Sequence, residues 1–201
     1  MDETGSGARE RLIEAMAEVI VEKGYVATTV ADIVARARVS RRTFYEHFND
    51  KQGCMLASYY AMGARLLATV PAIDADTCGN AHALLRTGID NFLGVLAAHP
   101  HLTYTQFVGI HTAGLTTSPE RLAMQDTFAK QMRYLAKQAA QFDPTVRVPS
   151  ELMAEALVGS IAEMIVRYAA RGRLDKLGEL APTILELVSA VTLRGQPNPD
   201  D

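Results

Sequence analysis

Residues 29–51, TVADIVARARVSRRTFYEHFNDK, constrain the fold more than any other part of the chain. Thr29 is followed three residues later by Asp32, which is the spacing of a capping box, where the two side chains satisfy backbone N–H groups at a helix start. Ser40 is a second residue of the type that caps helices. We therefore predict two short helices joined by a tight turn, the first beginning at Thr29 and the second at Ser40.

The second of these helices has one apolar side. Phe44 and Phe48 lie four residues apart, so they share a stripe that should be buried against the preceding helices. At about 100° per residue, this leaves the polar residues facing outward or on the flanks of the helix. Arg42, Thr43 and Glu46 should lie opposite the stripe, Tyr45 and His47 beside it, and Arg41 at the N-terminal tip.

This outward set has the chemistry needed to contact a DNA duplex. Arginine can donate two hydrogen bonds to a guanine edge, a threonine or tyrosine can contact a thymine methyl group, and His and Lys can bind phosphates. Residues 36–51 hold five Lys or Arg against Glu46 and Asp50. Asp50 and Lys51 offer a further helix start that can meet phosphate. The alternative is an ordinary helical hairpin with a solvated basic face.

At these residues the stretch resembles the DNA-binding helix-turn-helix of the TetR family of bacterial transcriptional regulators. The resemblance implies that Arg41, Arg42, Thr43 and Tyr45 approach bases and that Thr29, Tyr45, His47 and Lys51 meet the phosphate backbone, with Ser40 also in the DNA-binding set. The residues that carry it are Thr29, Ile33, Val39, Ser40, Thr43, Phe44, Tyr45, His47, Phe48 and Lys51.

Three positions depart from the usual pattern of that family. Arg38 stands where the family often has glycine, so a left-handed backbone at this turn would carry strain. Ala31 stands where many members have a DNA-contacting arginine, and Arg42 where many have glycine. These departures concern the operator sequence and leave the predicted role unchanged.

Composition sets the class of the whole chain. With 201 residues, 48% of them hydrophobic and 21% charged, it can bury a real core. The net charge of −3 gives no global sign of nucleic-acid binding, so that prediction rests on local charge. No tryptophan and 6% aromatic residues suit packed helices better than strands.

Cysteine usage and hydropathy indicate a reduced, cytoplasmic protein. Cys54 and Cys78 lack metal-ligand spacing, and we interpret both as reduced packing residues. The N-terminus has no signal pattern, and no apolar run has the length needed to cross a bilayer. No cofactor and no metal are expected.

Helical periodicity predicts an all-α protein of nine helices, three in a DNA-binding head (1–51) and six in a body (52–201). In the head, the predicted helices are residues 8–23, closed by Gly24, and the two that begin at Thr29 and Ser40. In the body, they are residues 50–70, a helix from Asn80 that stops before Pro100, a segment that begins at Pro100, a helix capped by Ser118, and residues 150–170 and 180–193. Polar segments at 1–7, 71–80 and the C-terminus flank or join them.

The last two helices have broad apolar faces. A single-chain bundle buries one stripe per helix, so we predict a homodimer through helices 150–170 and 180–193. A two-fold dimer also places two DNA-binding heads in successive major grooves. The TetR resemblance implies the same interface. The alternative is that both helices lie wholly inside one subunit.

The middle of the body resembles an effector pocket of the family in architecture, although no motif marks it. Polar residues are scattered through the apolar segment after Pro100, and we predict a small, mostly apolar effector that releases a repressor from its operator. Each candidate can equally be plain core, and His111 can be a hydrogen-bonded core histidine. The candidate lining residues are Tyr59, Met62, Leu66, Phe92, Tyr104, Phe107, His111, Met124, Phe128, Met164 and Tyr168.

Two other functions compete with this prediction. A helical metal-dependent enzyme would use His99 and His101 with His111 or Asp90, but no HExxH motif, cysteine pair or glycine-rich phosphate loop accompanies them. An architectural DNA-binding dimer without an effector is equally compatible with every feature of the head. The mixed polar and apolar centre of the body argues against it.

Overall fold

The computed structural model describes residues 3–69 and 81–193, with the side chains from residue 7 onward. The predicted connection at 71–80, Cys78 and the C-terminal tail lie outside the described residues. Over the described residues the chain is helical and forms no strand, apart from an isolated antiparallel bridge between Val146 and Leu193. The predicted all-α class is confirmed.

Nine helices lie within the described ranges, as predicted. They are α1 (Glu3–Ala27), α2 (Val30–Ala37), α3 (Arg41–His47), α4 (Lys51–Ala68), α5 (Ala81–Ala98), α6 (residues 100–112), α7 (Pro119–Ala139), α8 (Glu151–Ala170) and α9 (Ala181–Thr192).

None of the described helices combines the length and the apolar character that a membrane span requires.

The predicted helix caps form as the sequence indicates. The Thr29 hydroxyl accepts a hydrogen bond from the Asp32 N–H at 3.3 Å, and the Asp32 carboxylate accepts one from the Thr29 N–H at 2.9 Å. Ser40 caps α3 by accepting from the Thr43 N–H at 3.0 Å. Asp50, Ser118 and Ser150 cap α4, α7 and α8 in the same way.

Backbone geometry agrees with the predicted helix end at Gly24 and differs from the prediction in two other places. Gly24 has the non-helical angles φ 74° and ψ 162°, so it interrupts α1 where the sequence predicts its end, and a short helical segment follows to Ala27. Phe48 is buried, yet it lies just beyond α3 in extended conformation and is not part of the helix. A 3₁₀ helix, Leu174–Leu180, precedes α9. Helix ends are the part of a helix that sequence periodicity delimits least well.

The turn between α2 and α3 is left-handed. Arg38 has φ 55° and ψ 46°, and it is the one non-glycine residue with positive φ in the described part of the chain. Its N–H closes α2 by donating to the carbonyls of Ala35 and Val34. The strain predicted for this position is therefore present.

Helix α6 is not a regular α-helix. It opens as Pro100–Tyr104, widens to a π-helical turn over Thr105–Gly109 and closes as Ile110–Thr112. Gly109 lies in this turn, and a Cβ there would be 3.3 Å from Ile20 of α1 and 3.3 Å from Met55 of α4. The glycine thus lets α6 pack closely on both helices.

One apolar cluster runs through the head and the body. Leu12, Met16 and Ile20 of α1 are fully buried in it, with Phe44 of α3 and Met55 of α4. The division of the chain between residues 51 and 52 stays a prediction, because this core continues across it.

Polar contacts also fasten α4 to α1. The Ser58 hydroxyl donates to the Ile13 carbonyl at 2.8 Å, and Arg65 pairs with Glu14 at 3.0 Å. Cys54 is buried beside α1, and burial raises the pKa of its thiol to about 12. It is a free thiol, as predicted.

A candidate nucleic-acid interface and an internal cavity

The outer side of α3 is exposed where the sequence places it. The Arg42 side chain is 90% exposed and Tyr45 is 57% exposed, while Phe44 between them is completely buried. Arg41 and Glu46 are also exposed. Arg42 donates to the Glu46 carboxylate at 3.1 Å, one turn further along the helix. Such an exposed pair is worth little and opens readily for another partner.

The remaining predicted residues of this surface have roles within the head as well. Thr43 and Ser40 hold each other through their hydroxyls at 2.9 Å. The Thr29 hydroxyl donates to Asp32 at 2.6 Å. His47 is half-buried beside Phe48, with ring centroids 6.4 Å apart. These side chains border the exposed tip that Arg41, Arg42 and Tyr45 form.

Other basic residues of the head hold its helices together. Arg36 of α2 bridges to Glu18 at 2.8 Å and Glu22 at 2.6 Å, both on α1. Lys23 pairs with Asp32 at 2.7 Å, and that contact, with the Thr29 hydrogen bonds, lowers the pKa of Asp32 to about 2. Two of the cations of the head are therefore structural.

Lys51 does not point freely toward solvent. Its ammonium donates to the carbonyls of Tyr25 at 3.0 Å, Val26 at 3.3 Å and Thr28 at 3.0 Å. It also lies 4.5 Å from the centre of the Tyr25 ring. An ammonium has three N–H donors, so these contacts use all of them. The geometry assigns Lys51 to the junction of α1 and α4, whereas the sequence predicted a phosphate contact.

The body contains a cavity of about 370 Å³, within the range of small-molecule sites. It lies among α4, α5, α6, α7, α8 and α9. Six of the eleven predicted lining residues surround it: Tyr59, Leu66, Phe92, Phe107, His111 and Phe128.

The other five predicted lining residues lie elsewhere in the core. Met62 is fully buried. Met124 packs against Gly63, so closely that a Cβ added to this glycine would be 2.6 Å from the Met124 methyl group. Tyr104 and Met164 pack against the main apolar cluster. Tyr168 donates to Glu179 at 3.3 Å and stacks under Arg173. Helical spacing identifies an inner face, but it does not distinguish a cavity wall from packed core.

Several cavity residues had no signal in the sequence strong enough to select them. They are the polar Gln106, Arg121, Gln125 and Glu163, and aliphatic residues that include Leu84, Leu85, Ile89, Leu135, Val158 and Val188.

Several polar residues of the wall form hydrogen bonds near the start of α7. Arg121 donates through Nη1 to the Thr116 carbonyl at 3.0 Å and to Gln125 Oε1 at 3.3 Å. His111 shares a hydrogen bond of 3.0 Å with Thr116. Burial and the nearby charge of Arg121 lower the pKa of His111, which Glu163 opposes. Burial raises the pKa of Tyr59 to about 12, against the effect of Arg121. Tyr59 and His111 are therefore both neutral near pH 7.

The residues weighed for a metal-dependent enzyme do not form a centre. Among the residues that the structure describes, no group of three His, Cys, Asp or Glu side chains is placed to hold a metal ion. Asp90 instead approaches Arg86 at 3.9 Å on the surface of α5.

Comparison with known proteins adds independent evidence on the function. Residues 12–57 match the family model described as bacterial regulatory proteins, tetR family. This match covers α1, α2, α3 and the start of α4. The head of this chain is therefore similar to the DNA-binding part of the bacterial regulatory proteins of the tetR family.

Similarity to TetR-family and other regulators extends beyond the head. An HTH-type transcriptional regulator, AlkX of Mycobacterium tuberculosis, is 28% identical over 163 residues, which are 80% of this chain and 74% of that protein. The fatty acid degradation regulator FadR of Bacillus halodurans has the same fold, with a TM-score of 0.74 at 17% identity, over 93% of this chain and 97% of the other.

A second solved structure is similar over most of the body as well. For FadR of Bacillus subtilis in complex with stearoyl-CoA the TM-score is 0.71 at 19% identity, over 90% of this chain and 98% of the other. The protein is a DNA-binding transcriptional regulator with a TetR-like fold.

Replacement of Lys51 by Met tests its role at the junction of α1 and α4. Three carbonyls lose a charged donor, so we expect the free energy of unfolding to fall by about 1 to 3 kcal/mol. Chemical denaturation measures this, with Lys130→Met on the exposed side of α7 as the control. If the variant is as stable as the unmodified protein and binds all DNA sequences more weakly, Lys51 contacts a phosphate instead.

Proposed function

We propose that the protein is a cytoplasmic repressor that binds a palindromic operator as a dimer and is released by a small, mostly apolar molecule in the cavity. The observation that carries this proposal is the placement of α6. This helix lines the cavity with Gln106, Phe107 and His111, and its Gly109 packs on α1 and α4, which hold the head.

The exposed tip of α3 supports sequence reading. Arg41, Arg42 and Tyr45 extend from a short helix that Phe44 anchors in the core. Arginine reads guanine through two parallel hydrogen bonds, and a tyrosine ring offers apolar contact to a thymine methyl group. Release of Arg42 from its exposed pair with Glu46 costs little.

Selection of binding sites from random duplexes should enrich a half-site repeated with two-fold symmetry. Arg42→Ala should cost about 1 to 3 kcal/mol and relax the preference at one base pair. Arg86→Ala is the matched control, because Arg86 is also an exposed arginine with a carboxylate four residues on. Absence of any enriched half-site would overturn the proposed operator binding.

Exposed side chains on the outer face of α8 support the proposed dimer. Leu152 is 75% exposed and Met153 is 45% exposed, which is unusual for large apolar residues. Small exposed residues, Ala156 and Ser160, follow on the same side of α8. A second copy would cover this face.

Ala156→Arg should therefore give monomers with unchanged helicity and much weaker operator binding. Its matched control is Ala97→Arg, at an exposed alanine of α5. Analytical ultracentrifugation measures the oligomeric state at micromolar concentration. Monomeric unmodified protein would exclude the dimer.

A ligand in the cavity can act on the head through α6. The π-helical turn at Thr105–Gly109 has cavity residues on one side and Gly109 against Ile20 and Met55 on the other. A ligand that prefers the DNA-free arrangement lowers operator affinity by its differential affinity for the two states, typically about 1 to 3 kcal/mol. The stearoyl-CoA in the similar FadR structure supports a lipid-like molecule.

Cavity filling tests the effector without altering the DNA-binding surface. A Cβ added at Gly88 on the cavity wall, or at Gly94 on the exposed side of the same helix, meets no atom within 4 Å. Gly88→Leu should abolish binding of compounds that raise the melting temperature, and should prevent their release of DNA. Gly94→Leu should leave both unchanged. Equal behaviour of the two variants would favour the architectural DNA-binding dimer without an effector.

A further inference from the structure

The cavity has one charged wall and a long apolar remainder. Arg121 near the start of α7 and Ala139 at its end both line it. At a rise of 1.5 Å per residue the two positions are about 27 Å apart, so the cavity is elongated. Between them most of the wall is aliphatic or aromatic, with Phe128 and Leu135 among its residues, and Gln125 and Gln131 are its polar members on α7. Such a shape suits an unbranched chain.

Arg121 leaves part of its guanidinium available to a ligand. Both of its hydrogen bonds come from Nη1, and among the described residues Nε and Nη2 have no acceptor. It forms no ion pair within the described ranges either. The nearby Glu163 is paired with Arg167 at 2.9 Å. Carboxylates and phosphates are the partners that a guanidinium fork binds through two parallel hydrogen bonds.

A second polar group on the wall lacks a partner. Gln106 is 6% exposed, and its Oε1 has no hydrogen bond within the described part of the chain. A buried polar atom without a partner is costly, so it indicates a group that the structure is built to receive. Rotation of the amide exchanges this oxygen for the NH₂ group, which can donate to a carboxylate.

The position of Gln106 depends on the wide turn of α6. In a regular α-helix, residues five apart point about 140° away from each other. The π-helical turn at Thr105–Gly109 brings Gln106 and His111 to the same cavity. Single π-helical turns are often found at functional sites.

We propose that the effector is an unbranched carboxylate whose head group is bound by Arg121 and Gln106 and whose chain lies along α7. This inference rests on the proposed function and names the chemistry of its ligand. The cavity of about 370 Å³ holds roughly twelve groups of the size of a water molecule or a methylene. Dodecanoate is therefore the probe of choice.

Calorimetric titration compares dodecanoate with dodecanol, which has the same chain and no charge. The unmodified protein should bind dodecanoate at least about tenfold more tightly, because a charge-assisted pair replaces a neutral hydrogen bond. Arg121→Gln should remove this preference and leave dodecanol binding nearly unchanged. Arg121→Lys should retain part of it, and Arg86→Gln should retain all of it.

Chain length and head-group chemistry supply the remaining arms of the experiment. Hexanoate should bind at least about a hundredfold more weakly, because it loses six methylene groups of burial. Dodecanoyl-CoA tests whether a thioester with a phosphate-bearing head group is the real ligand class. Tighter binding of this thioester with no effect of Arg121→Gln would overturn the carboxylate assignment.

The two proposals fail in different ways. If Gly88→Leu blocks ligand binding while Arg121→Gln leaves the ratio of dodecanoate to dodecanol unchanged, the cavity is the effector site and the carboxylate assignment is wrong. If neither dodecanoate nor dodecanol binds the unmodified protein, the chain-like ligand is excluded, and the test with Gly88→Leu and other compounds still decides the proposed function.

Discussion

The buried face of α1 is the constraint on which both halves of the molecule depend. Leu12, Met16 and Ile20 are fully buried, and each such side chain stabilises the fold by about 1.5 to 3 kcal/mol. Helices α2 and α3 pack on α1 in the head, and α4 and α6 pack on it in the body. The orientation of α3 therefore cannot be set independently of the body.

Some basic residues of the head hold its elements together, and others are exposed on its surface. Arg36, Lys23 and Lys51 bind carboxylates or carbonyls of neighbouring elements, while Arg41 and Arg42 extend from the tip of α3. A chain with a net charge of −3 can thus present positive charge where a duplex would lie. Because non-specific binding depends on the number of phosphates neutralised, a small basic tip leaves a larger share of affinity to base contacts.

Local features of the fold could be predicted from the sequence, and features that depend on tertiary contacts could not. The caps at Thr29 and Ser40 and the burial of Phe44 follow from side chains within a few residues of each other. The donors of Lys51, by contrast, are occupied by carbonyls more than twenty residues away. In the cavity, Phe128 and Met124 lie on the same inner face of α7, yet one lines the cavity and the other fills the space beside Gly63. Only the arrangement of the neighbouring helices separates these two outcomes.

The wide turn of α6 also has a consequence for comparing this chain with its relatives. A π-helical turn accommodates one residue more than an α-helical turn, as a single insertion does. Residues before Thr105 and after Gly109 therefore follow two helical registers offset by one position. An ungapped alignment of α6 with a relative that has a regular helix would pair His111 with the wrong residue, so cavity residues in this helix have to be matched by superposition of structures.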